Sequence, residues 1–63
     1  MRYMCMLAPF RKYKKMSQWE LAQELKVDRT VISEIETGKR LPDITLRERI
    51  AALVDRRPQE IWP

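Results

Sequence analysis

The chain has 63 residues, with 13 Lys and Arg against 9 Asp and Glu, giving a formal charge of +4 and a pI near 9.6. A chain of this size buries only about 60% of the surface it exposes when unfolded, so residues 1–63 are expected to form one domain with one modest core and no second catalytic or regulatory domain. The basic excess fits a polyanionic partner; the alternative is a merely solvated basic surface, and charge alone does not choose.

Cys5 is the single cysteine and there is no histidine. An internal disulfide and a zinc site of the usual nitrogen–sulfur type are therefore ruled out, and a reducing compartment fits. No metal, cofactor or small-molecule ligand is expected. The apolar Met1–Phe10 stretch is too short for a signal peptide and runs straight into Arg11, Lys12, Lys14 and Lys15, so it reads as mature protein. No apolar run nears the roughly 18 residues that a membrane span requires. An enzyme has little to work with: there is no glycine-rich phosphate loop, and Glu20 and Glu24 pair at i, i+4 without a nucleophile or metal.

Taken in chain order, apolar residues recur at helical rather than strand spacing. A first helix covers about Tyr3 to Lys14, with Leu7 and Phe10 inward, or else begins just before Pro9 and holds that proline in its first turn. Ser17 and Glu20 form a capping-box pair that opens a second helix, with Leu21, Ala22 and Leu25 on one face and a stop near Leu25 or Lys26. Asp28 caps a third helix, Asp28 to about Glu36, anchored by Ile32 and Ile35 and stopped at Gly38. Pro42 ends the following loop. A fourth helix spans about Ile44 to Val54, with Leu46, Ile50, Leu53 and Val54 in register, and a fifth covers Pro58 to Trp62.

The second and third helices are joined by a tight turn at about Lys26–Val27. Ala22 is small enough to let the two backbones cross steeply, and Val27 and Ile32 plug the elbow. Together with Ser17-Gln18, Glu20-Leu21-Ala22, Leu25, Arg29, Val31-Ile32-Ser33, Ile35-Glu36, Gly38-Lys39 and Pro42, this ordered set resembles the lambda-repressor/Cro-like (xenobiotic-response-element type) helix-turn-helix family. Leu46, Ile50-Ala51, Leu53 and Glu60-Ile61-Trp62 resemble that family's last two helices. The likeness runs from about Leu7 to Trp62.

The resemblance implies an all-α, lambda-repressor-like bundle of four to five short helices and a DNA-binding transcriptional regulator. Its third helix would enter the major groove, and it would act as a homodimer on a palindromic operator in the cytoplasm. Base readout falls to Arg29, Thr30, Val31, Ser33 and Glu34: Arg29 suits guanine O6 and N7, Glu34 a cytosine amino group, and Thr30 or Val31 a thymine methyl. Phosphate contact falls to Ser17, Gln18, Thr37, Lys39, Arg40 and Lys15. Arg11 and Glu36 match a pair that bridges the first helix to the end of the third. An antitoxin, a restriction-modification controller, or an interaction module without DNA binding are the alternatives on the same fold. Two departures stand out: Lys26 holds a turn position usually given to glycine, and Trp19 one usually given to a polar residue. The Trp19 indole is expected to lie on neighbouring side chains.

Overall fold

Between the chain's breakers every periodic apolar segment folds as a helix in the computed structural model, which describes residues 2–63. The order is α1 (Leu7–Tyr13), α2 (Gln18–Leu25), α3 (Arg29–Glu36), α4 (Ile44–Leu53) and α5 (Pro58–Ile61). No strand occurs among the described residues, and no helix is long and apolar enough to cross a membrane.

Local side-chain chemistry starts the helices. The Ser17 hydroxyl accepts the Glu20 N–H at 3.0 Å while the Glu20 carboxylate accepts the Ser17 N–H at 2.9 Å, which completes the capping box. Asp28 accepts the Thr30 N–H at 2.9 Å, and Asp43 caps α4 by accepting the Leu46 N–H at 2.8 Å. Pro58 opens α5 from its first turn. Of the two registers open for the first helix, the shorter is adopted, and Pro9 lies in its first turn where the missing N–H costs little. The fourth and fifth helices end one residue before Val54 and Trp62, because those residues leave helical torsions.

All five helices feed one core: Leu7, Leu21, Ala22, Leu25, Ile32, Ile35, Ile50, Ala51, Val54 and Ile61. Phe10 is only half-buried at the margin, where the Arg56 guanidinium sits 4.8 Å from its ring centroid. Trp19 is 58% exposed, because the inward face of α2 is taken by Leu21, Ala22 and Leu25.

The turn between α2 and α3 keeps its expected form despite the missing glycine. Lys26 adopts φ 57°, ψ 44°, its N–H reaching Gln23 O, and the Val27 N–H returns to Ala22 O at 3.0 Å. Residues 2–6, which the longer first-helix register would include from Tyr3, are not helical. The Tyr3 N–H donates to Gly38 O and the Met6 N–H to Ile61 O, both at 2.8 Å.

Candidate nucleic-acid interface

The polar side of the helix pair is organised by a chain of four side chains. Arg11, almost fully buried on α1, donates from Nε to Glu36 Oε2 at 2.6 Å and from Nη2 to Glu36 Oε1 at 3.3 Å. Its Nη1 reaches Met16 O at 2.8 Å. Gln18, at the start of α2, donates from Nε2 to Glu36 Oε1 at 2.8 Å, and its Oε1 accepts from Arg29 Nη1 at 3.1 Å. The buried charges are thus paired and hydrogen-bonded, which is the condition for tolerating them in the interior. The effect is to fix the end of α3 to α1 and its beginning to α2.

Arg29 and Thr30 are exposed on α3, while Val31, Ser33 and Glu34 are half-buried. Val31 packs against the core margin. Glu34 is engaged by Arg40, whose Nη2 lies 2.8 Å and Nε 3.1 Å from Oε1. The loop after α3 folds back to bring these two residues together, one expected at a base and the other at a phosphate. Thr37, Lys39 and Arg40 are all exposed around the end of α3, and Ser17 and Lys15 are exposed ahead of α2. The Thr37 hydroxyl turns inward to Ser33 O and Glu34 O at 3.0 and 3.2 Å. Lys14 is paired with Asp55 at 3.2 Å.

Several features are not anticipated from the sequence, the Gln18 bridge between Glu36 and Arg29 among them. Asp43 is of N-cap type directly before a periodic stretch and was readable there. The Met16 carbonyl and the Glu34–Arg40 pair depend on how the chain folds back, so no local signal announces them. Elsewhere, a shallow groove between α4 and α5 is lined by Ile44, Arg47, Glu48, Pro58, Gln59 and Trp62. Burial pushes the Cys5 thiol up, which keeps it protonated and a poor nucleophile. Among the described residues no group of three His, Cys, Asp or Glu could hold a metal ion.

Comparison with known proteins bears on this surface. The helix-turn-helix family model matches residues 10–61. A relative described as the ImmF control region 10 kDa protein, from Bacillus phage phi105, is 42% identical over 45 residues, which is 71% of this chain and 50% of that protein. The chain spans about half the length of that curated relative.

Proposed function

Because the chain belongs to the lambda-repressor-like helix-turn-helix family of DNA-binding proteins, we propose that residues 1–63 act as one unit in a sequence-specific transcriptional regulator. In this reading a repressor places α3 in the major groove of a palindromic operator, as a homodimer in the cytoplasm. The observation that carries the reading is the setting of α3. Ile32 and Ile35 seal one side in the core, Arg29 and Thr30 stand in solvent on the other, and Arg11, Glu36 and Gln18 hold the helix at both ends.

Roles follow from placement. Arg29 reads a guanine, steadied by Gln18, and Thr30, Val31, Ser33 and Glu34 line the same approach. Ser17, Gln18, Thr37, Lys39, Arg40 and Lys15 meet phosphates on either side. Arg40 holds only Oε1 of Glu34, which leaves Oε2 to accept from a cytosine, and turning Arg40 to the backbone costs little because an exposed ion pair is worth only about 0–1 kcal/mol. Two subunits would span half-sites roughly 34 Å apart, meeting through α4 and α5, where Ile44 is 66% exposed, or through the apolar N-terminal residues, where Met4 is 70% exposed. The phage relative, whose name places it in a control region, favours a phage-type regulator over an antitoxin or a restriction-modification controller.

Selection of binding sites from a random DNA library, followed by gel shifts at two salt concentrations, tests the proposal. Enrichment of a two-fold-symmetric sequence whose binding weakens steeply with salt is expected. An unenriched library, with no shift at low salt, overturns it.

A further inference from the structure

Residues 2–6 lie outside the family match, which begins at residue 10, yet they are fastened to the end of the recognition helix. The Arg2 Nη1 donates to Thr37 O at 3.0 Å, the Tyr3 N–H to Gly38 O at 2.8 Å, and the Met6 N–H to Ile61 O at 2.8 Å.

Gly38 gives this attachment an independent measure. Four helices end in the same way, with a left-handed residue at Lys15, Lys26, Gly38 or Asp55 and the next N–H returning five residues, to Arg11, Ala22, Glu34 and Ala51. Three of the four carry side chains at that residue, so ending a helix does not itself demand glycine here. What distinguishes Gly38 is its neighbour. A Cβ there would lie 2.3 Å from Tyr3 O and 3.1 Å from Tyr3 N, both backbone atoms that cannot swing aside.

The cations near this end are also unequal. Arg40 is held by Glu34, whereas neither Arg2 nor Lys39 is in a salt bridge among the described residues. Arg2 is exposed, and one of its five N–H donors on Thr37 O leaves the others for an anion.

We infer that residues 2–6 form a strap that fixes the C-terminal end of the recognition helix, and that Arg2 on this strap is a further DNA-phosphate contact beside Lys39. The contact rests on the DNA-binding reading above; the strap does not.

Two measurements decide the matter. In the free protein, hydrogen exchange should show protected Tyr3 and Met6 amides. Tyr3→Pro, which deletes the donated N–H, should speed exchange at Gly38 and Lys39 while leaving Lys26 and Val27 as they were. Unprotected Tyr3 and Met6 amides in the unaltered protein overturn the strap, and this criterion holds even if Tyr3→Pro loosens the whole fold. On the selected operator, Arg2→Ala should reduce the slope of log affinity against log salt by about 0.9 without altering base preference. Arg49→Ala, which removes an equal charge from α4, should leave that slope unchanged. Equal slopes for the two variants overturn the Arg2 contact. Absence of any binding by the unaltered protein at low salt sinks the DNA-binding reading and the contact together, with exchange still judging the strap.

Discussion

Three N–H groups converge on the Glu36 carboxylate, two from Arg11 and one from Gln18, where the Arg11 and Glu36 side chains are 9% and 7% exposed. Removing one member of so covered a pair leaves the other charged, buried and unpaired, at a cost of about 3–5 kcal/mol. At roughly 0.05–0.15 kcal/mol per residue, that is comparable with the whole stability of a chain this short. Glu36→Ala should therefore leave the protein largely unfolded at ambient temperature in urea and thermal melts. The paired change Arg11→Met with Glu36→Leu should recover much of the loss. A Glu36→Ala melting curve that overlays the parent's contradicts this. On the proposed DNA-binding surface, Arg29 and Lys39 are assigned different roles. Arg29→Ala should cost about 1–3 kcal/mol and relax base preference at one position per half-site, while Lys39→Ala should weaken every sequence alike. Equal, sequence-blind losses for both would remove Arg29 from base readout.

The beginnings and ends of α2 and α3 were legible in the sequence; the start of α1, and the left-handed residues that close most of the helices, were not. Ser17 with Glu20, and Asp28, act on N–H groups two or three residues away, so spacing alone identifies them. The endings use left-handed residues, and only Gly38 advertises this by its type; Lys15, Lys26 and Asp55 do not. Each side chain in that region costs on the order of 1 kcal/mol, offset elsewhere by packing. Lys26→Gly should therefore stabilise the turn between α2 and α3 by about 1 kcal/mol. For a domain of this size that is a rise in Tm of roughly 4–8 °C by calorimetry. An unchanged or lower Tm would mean that the Lys26 side chain contributes more than its backbone costs. Gly38→Ala should do the opposite, since its Cβ meets the Tyr3 carbonyl.

Across the molecule as a whole, three carboxylates sit below their ordinary range. Accepting the Ser17 N–H lowers Glu20, accepting the Thr30 N–H lowers Asp28, and accepting the Arg57 N–H lowers Glu60. A depressed carboxylate stabilises the fold at pH above its unfolded value, and that contribution is lost as pH falls through the folded one. Stability should thus be level near neutrality with respect to these groups and decline from about pH 5 downward. Glu20→Gln should flatten part of that acid limb in urea titrations; an unaltered limb would exclude Glu20 from it. The sequence by itself determined five apolar faces, the caps at Ser17 and Asp28, and the helix pair that carries Arg29 and Thr30. Each of these is set by spacing within one or two turns. Only the tertiary structure decided that Gln18 bridges Glu36 to Arg29, that Arg40 holds Glu34, and that residues 2–6 strap the end of α3. Most of those contacts join positions more than ten residues apart, and even Glu34 and Arg40 need a loop that folds back. Their partners are fixed by how the packed helices bring the backbone together, which no local spacing records.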